Sequence, residues 1–343
     1  MSDDIAKQPR DLPILLTKEV VTGGIYIVTG ANTGLGLEAA KHLVCLGAAK
    51  VILAVRRPAN GETARKEIDA ATGTSGIAEV WPLNLSSYDS VKAFAVRAEK
   101  ELERIDAVIE NAAVAAGERI LAEGHTLPLT VNVLGTFLLA VLLLPQLRKS
   151  SERYGILPRL AFITSSSAFD IRGPWEAIRE DPFNGIDAFG GDELMKTYVR
   201  LLKQFPQTGG EAGYPLSKLM DTLLTRELAS LLPVEKGKVV INTSCPGLCI
   251  TELDRNGSPA FREHLRQLRE ESGRTAEEGS RTLLAGAALG KESHGRYLMH
   301  CEIRDDRLPE WMTEAKYQKR LWDLLASELE AVAPGCVQKA LQV

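Results

Sequence analysis

Gly24-Ile25-Tyr26-Ile27-Val28-Thr29-Gly30-Ala31-Asn32-Thr33-Gly34-Leu35-Gly36 is the stretch that decides the fold. Ile25 to Val28 is a short apolar run rich in β-branched residues, the pattern of a strand buried on both faces of a parallel sheet. The run stops at Thr29-Gly30, and Leu35, Ala39, Leu43 and Leu46 then share one helical stripe. A strand that feeds a helix through Gly30, Gly34 and Gly36 brings its backbone close to a pyrophosphate, whose charge rests on the N–H groups at the helix start. The spacing is G-x-x-x-G-x-G, and no G-K-[ST] follows to make an ATP-type phosphate loop. Taken alone, the spacing also suits a turn that serves only helix–strand packing.

Working outward, 343 residues with 45% hydrophobic and 25% charged side chains describe an ordinary globular chain with a large core. The net charge of −4 provides no basic field for nucleic acid or an anionic membrane. The five cysteines are scattered, without zinc-type pairing; that predicts reduced thiols in a cytoplasmic setting and no metal site. Residues 1–20 read as an N-terminal arm and 21–343 as one domain. Val131 to Leu144 is strongly apolar but shorter than the roughly 20 residues that span a bilayer; with Pro145 closing it, it reads as a buried core helix.

Further strands are expected at Lys50 to Val55, Ala78 to Leu83, Ile105 to Ile109, Leu160 to Thr164, Val239 to Thr243 and Tyr297 to Ile303. Helices are expected between them, among them Gly61 to Ala71, Asp89 to Leu102 capped by Ser86 or Ser87, and Thr275 to Leu289 opened by a capping box. Alternating βα units of this kind predict an α/β fold with a doubly wound parallel sheet, whose ligands bind beyond the carboxyl ends of the strands. Candidate residues cluster at those ends. The second strand ends in Val55-Arg56-Arg57, with no acid to bind a ribose 2′-hydroxyl and repel a phosphate; this favours NADP(H) over NAD(H), although the arginines also suit a solvated loop. Asn84, followed by Leu85, suits either an adenine contact or a turn cap. Glu110-Asn111-Ala112-Ala113 leaves small residues beside a strand end, and Asn111 can brace its neighbours. Asn132, early in the long apolar helix, either satisfies a kinked backbone or holds a water in a proton path.

Tyr214 and Lys218 stand one helical turn apart, so the ammonium is expected to lower the phenol pKa from about 10 toward a range useful for acid–base catalysis. Cys245-Pro246-Gly247 turns beside the proposed nicotinamide site, and Thr251 offers a hydroxyl. Glu252 to about Ser272 is polar and irregular, the pattern of a mobile lid. Lys316 to Val332 reads as an amphipathic helix.

Together these residues resemble the short-chain dehydrogenase/reductase family over about residues 22 to 300. Thr29-Gly30-Ala31-Asn32-Thr33-Gly34-Leu35-Gly36 is similar to its T-G-x-x-x-G-x-G cofactor loop. Asn111-Ala112-Ala113 is similar to N-A-G, with Ala113 replacing the glycine. Asn132 matches the family asparagine, Tyr214 and Lys218 the catalytic pair, and Pro246-Gly247 with Thr251 the P-G-x-x-x-T segment. Ungapped alignment makes Ser165 the catalytic serine, and a one-residue shift makes it Ser166. Arg56 falls where retinol-dehydrogenase-like and fungal members keep an arginine for the NADP phosphate.

The resemblance implies a Rossmann fold and reversible hydride transfer between nicotinamide and a carbonyl or carbinol carbon. Tyr214 would be the acid, Ser165 would orient the oxygen, Lys218 would hold the ribose and lower the tyrosine pKa, and Asn132 would support a water. The layout predicts an NADPH-dependent ketoreductase or alcohol dehydrogenase for a bulky apolar small molecule of secondary metabolism; a cyclase or sensor on the same scaffold is the rival. Residues 169–213 form an enlarged substrate-binding insertion in which Trp175, Phe183, Phe189, Tyr198 and Phe205 would wall a pocket or pack as a flap. Family dimers pair helices near Val131 and Pro215, and the insertion could block that pairing, so a monomer or a homodimer is expected.

Overall fold

The computed structural model describes residues 7–116, 119–188, 213–257 and 259–342. Eight strands form one sheet in the order β10-β9-β8-β7-β4-β1-β2-β3, parallel except at the β9–β10 edge. The strands are β1 (Ile25–Thr29), β2 (Lys50–Val55), β3 (Ala78–Pro82), β4 (Ala107–Glu110), β7 (Arg159–Ile163), β8 (Val240–Cys245), β9 (Tyr297–Met299) and β10 (Glu302–Ile303). A separate hairpin pairs β5 (Leu121–Ala122) with β6 (His125–Thr126).

Helices cover both faces, as the near-continuous apolar strands require. On one face α1 (Gly34–Cys45), α2 (Pro58–Thr72) and α9 (Ala276–Ala288) close a core around Val28, Leu53 and Ile109. On the other lie α3 (Tyr88–Glu101), α4 (Thr136–Tyr154), α7 (Gly213–Leu231), α10 (Ala315–Val332) and α11 (Cys336–Leu341), packed over Ile27, Val108 and Phe162. The chain reverses direction across the sheet between β1 and β4, which leaves a crevice at their carboxyl ends.

Several expectations change in detail. The last strand is a hairpin, because His300 and Cys301 take positive φ and turn the chain back on itself. α2 starts at Pro58, whose missing N–H costs nothing in a first turn. Ser87 caps α3, and Thr275 and Glu278 form the capping box that opens α9. The region beyond Glu252 is not irregular throughout: Pro259–Ser272 is a helix, α8, amphipathic enough to lay one face on the molecule.

The N-terminal arm is pinned. Gln8 donates to Leu248 O at 2.8 Å and Ser272 O at 2.6 Å, and Leu12 and Leu16 are buried. The fully buried Arg274 donates to the carbonyls of Pro9 and Pro246, joining the arm to the segment after β8. Within the insertion, α5 (Arg172–Ile178) and α6 (Pro182–Ala188) seat Trp175 and Phe183 in the core rather than in the crevice wall. Phe189, Tyr198 and Phe205 lie outside the described residues. The apolar helix runs on through α4, so Leu129–Tyr154 is long and apolar enough to cross a membrane. However, 83% of its apolar window is buried inside the protein, where the core already uses that surface.

Candidate active site

A cleft of about 1120 Å³ opens at the carboxyl ends of β1, β2, β4, β7 and β8. The loop after β1 forms its floor. Gly30 sits at φ +67°, and a Cβ there would lie 3.0 Å from Ala112 Cα. Gly36 is different: a Cβ would fall 2.6 Å from Asn111 Nδ2 and 2.8 Å from Gly30 O, so it keeps α1 tight against the loop and does not line the cleft. Asn32, Thr33, Gly34 and Leu35 do line it. Gly34 lies close to Thr251, since an added Cβ would be 3.4 Å from Thr251 Cγ2. Bare backbone at a helix start, approached from the opposite wall by Pro246, Gly247 and Thr251, is a cradle with room for a pyrophosphate.

Asn111 donates through its side chain to Thr29 O at 2.9 Å, bracing β4 against β1. Ala112 and Ala113 continue the wall. Asn84 accepts from the Ser86 hydroxyl at 2.8 Å, so it caps its turn while it and Leu85 also face the cleft. Arg56 is exposed on the rim and has no ion-pair partner among the described residues, while Val55 before it is buried. These residues fit a dinucleotide: backbone donors for phosphate, small residues beside a ring, and a free guanidinium at the far end.

At the other end, Ser165 caps the short 3₁₀ segment Ser166–Asp170, and Tyr214 stands in the first turn of α7. Both line the cleft, and the Ser165 side chain acts on the phenol as a hydrogen-bonding neighbour that lowers its pKa. Ser165 Oγ accepts from the Ser167 hydroxyl at 3.0 Å and the Ser167 N–H at 3.2 Å, which leaves its own proton to donate. Among the serines of this cluster it is Ser165, rather than Ser166, that meets the phenol.

One sequence expectation needs correction. Lys218 Nζ is 5.9 Å from the Tyr214 ring centroid, yet the phenol pKa is raised: burial is the largest cause, and the nearby Cys245, Asp221 and Cys249 add to it, against a smaller lowering by Ser165. Lys218 is already engaged, donating to Asp221 Oδ2 at 2.7 Å and Ile163 O at 2.9 Å. Asn132 is fully buried and outside the cleft wall. Its amide donates to Val114 O at 3.0 Å and Ser217 Oγ at 2.8 Å and accepts from Val114 N at 2.8 Å. It therefore anchors the strap after β4 to α7. Its own segment, Leu129–Gly135, is a π-helical turn, the kinked backbone that a buried asparagine suggested.

Several contributors were not evident from the sequence. Asp221 is one, although its spacing of three residues from Lys218 was the available signal. The others lie on α8. His264, Leu265, Leu268 and Arg269 turn toward the cleft, while Arg262, Glu263, Arg266 and Glu270 face water. Arg269 latches the helix, pairing with Asp254 at 2.7 Å and donating to Cys249 O at 3.0 Å. Ala116 and Asn256 form an isolated bridge that links the strap after β4 to the segment leading into α8. Leu127, Phe169 and Ile171 complete an apolar wall. Cys249 also lines the cleft, but burial pushes its thiol up to about 12, so it is no nucleophile at neutral pH.

Residues 24–170 match the family model described as short chain dehydrogenase. A short chain dehydrogenase/reductase of Cryptosporiopsis sp., dmxR8, is 37% identical over 92% of this chain and 93% of its own length. The short-chain dehydrogenase anuD of Penicillium roqueforti is 32% identical over 97% and 90%. Among solved structures, salutaridine reductase from Papaver somniferum superposes with a TM-score of 0.56 at 22% identity, covering 80% of this chain and 99% of that one, a likeness of fold.

Proposed function

The chain belongs to the short-chain dehydrogenase/reductase family of oxidoreductases that bind nicotinamide cofactors, and from that premise we propose that it is an NADP(H)-dependent reductase of bulky apolar ketones, or dehydrogenase of the matching secondary alcohols. The observation that carries this reading is that Ser165, Tyr214 and, one helical turn on, Lys218 line the same cleft as the glycine loop. The nicotinamide, when bound, supplies or accepts the hydride. The chain's own groups manage the oxygen and its proton. In reduction Tyr214 donates its proton to the substrate oxygen. Ser165 spends its donor on the same oxygen, since both contacts from Ser167 only fill its lone pairs. Lys218 supplies positive charge beside the phenol, and Asn132 fixes the strap and α7 that frame the site.

Preference for NADP(H) follows from Arg56, a rim guanidinium suited to a 2′-phosphate, with no carboxylate at the end of β2 to repel it. Bulk and apolarity of the substrate follow from Leu127, Phe169, Ile171, Leu265 and Leu268. A role in secondary metabolism matches such a substrate, and the five free cysteines suit a reducing compartment such as the cytoplasm. The enzyme acts as a monomer in this reading, because α10 lies on α7 and α11 on α4, covering helix surfaces that family dimers pair; sedimentation at the mass of one chain is the expected result.

The decisive experiment is a panel of bulky ketones and alcohols assayed with NADPH and NADH, repeated with Tyr214→Phe. Loss of the acid is expected to lower kcat by about a hundredfold to ten-thousandfold. Reduction at near the original rate by the phenylalanine variant would show that the phenol is not the acid, whereas no turnover of any ketone or alcohol with either cofactor would favour the non-redox alternative.

A further inference from the structure

We propose that Asp221 and Glu110, neither of which touches the cleft, are positioning residues for Lys218 and Tyr214: ionised Asp221 holds the Lys218 ammonium and opposes its charge at the phenol, while protonated Glu110 is the reserve site for that negative charge. The inference rests on the roles of Tyr214 and Lys218 given above.

Lys218 and Asp221 share one face of α7, and that face is turned into the protein, leaving them 3% and 2% exposed. Glu110 closes β4, beside β7 whose Ile163 carbonyl accepts a hydrogen bond from Lys218 Nζ. Side chains alternate along the strand, so Glu110 points to the same face as Val108, the face on which α7 packs. It is 3% exposed and has no cationic partner among the described residues. One oxygen of each carboxyl, Glu110 Oε1 and Asp221 Oδ1, is buried without a hydrogen-bond partner. With Asp221 already paired to the ammonium, a second buried carboxylate at Glu110 would leave a negative charge uncompensated, and a proton removes it.

The hydrogen bonds indicate which carboxyl takes that proton. Thr29 Oγ1 has one proton and two acceptors, Glu110 Oε2 at 3.3 Å and Ile109 O at 3.4 Å. It also accepts from Ala112 N at 2.9 Å. A proton on Glu110 lets Glu110 donate to Thr29 and frees Thr29 to donate to Ile109, so both contacts are made at once. Asp221, paired with Lys218, has no such need. Burial raises both groups, Glu110 to about 8 with the Asp221 charge adding to the rise, and Asp221 only to about 6 because Lys218 opposes it. The other titratable groups facing this cluster are Tyr214 on the same helix, Cys245 from β8 and Cys249 beyond it. Asp170 of the 3₁₀ segment lies in the cleft wall, and the π-helical turn contributes Asn132, which does not titrate. α10 presents Lys319 and Asp323 to Glu227 on the outer face of α7.

Infrared spectra of the cofactor-free protein, taken across neutral pH, test the pair without any substrate. The expected result is a protonated-carboxyl C=O band at neutral pH that disappears in Glu110→Gln. In Asp221→Asn the same band should be lost at lower pH, because the neighbouring charge is gone. A second arm follows alcohol oxidation against pH, where the rising limb marks formation of the phenolate. Glu110→Gln/Asp221→Asn should move that limb down by about one pH unit, about a tenfold gain in rate below it. Asp221→Asn alone should move it less, since Glu110 then ionises in its place. A band absent at neutral pH, a band unmoved in Asp221→Asn, or an unmoved limb in a folded double variant overturns the proposal. Should the asparagine variants not fold, the Glu110→Gln spectrum decides it. The two failures stay separate: a chain that oxidises no alcohol with either cofactor fails the functional reading, while the infrared arm still reports on the carboxyls.

Discussion

The end of the cleft around Gly30 is made of backbone and small side chains from adjacent strands, whereas the end under α8 is made of large side chains from Leu127, Phe169 and Leu268, segments far apart in the chain. At the first end, position is enforced by sheet register and by contacts in which a single added carbon has no room. At the second, position depends on a latch, Arg269 on Asp254, and on a helix that lies over the cleft from outside the sheet. One end is specified by where the backbone cannot go; the other is specified by which side chains happen to meet. Substitutions should therefore act steeply at the first end and gradually at the second.

The largest effect is expected from Gly36→Val. Its Cβ would collide with Asn111 Nδ2 and Gly30 O, so α1 must move off the loop. A stability loss of about 1–3 kcal/mol, typical of overpacking, should accompany loss of measurable NADPH binding in a fluorescence titration. Retention of tight binding would erase the distinction between the two ends. Arg56→Ala comes next. Losing a charge-assisted contact of about 1.5–3 kcal/mol should weaken NADPH by roughly ten- to a hundredfold while leaving NADH unchanged. Equal weakening of both cofactors would place the arginine elsewhere than on the 2′-phosphate. The smallest effect belongs to Leu268→Ala, half-buried on the inner face of α8. It should lower kcat/KM for a bulky apolar ketone by roughly tenfold, with cofactor affinity and melting temperature held. A drop in cofactor affinity instead would mean that the lid serves the nucleotide end as well.

The same contrast explains what could be read in advance. Ile25 to Val28, Ile105 to Ile109 and Leu160 to Thr164 announce buried strands by composition alone, and Gly30, Asn111 and Ser165 fall just after them. α8 was harder to see because its apolar positions, Leu265 and Leu268, are few against a charged background. Its cleft-facing stripe of 264, 265, 268 and 269 has helical spacing, but only a docking surface gives that stripe meaning. Trp175 and Phe183 were legible as apolar, yet nothing local showed that they would enter the core beside Tyr317 rather than the pocket.

By itself the amino-acid sequence determined the parallel sheet, the glycine loop and the Tyr214–Lys218 spacing, because each depends on residues that are neighbours along the chain or on one helix face. Tertiary structure alone decided the charge environment of that pair. Asp221 and Glu110 lie 111 residues apart, and the charge of one reaches the other only because α7 packs on the face of the sheet to which Glu110 points. Burial there, with water excluded, makes the phenol a weaker acid than the nearby ammonium alone would imply.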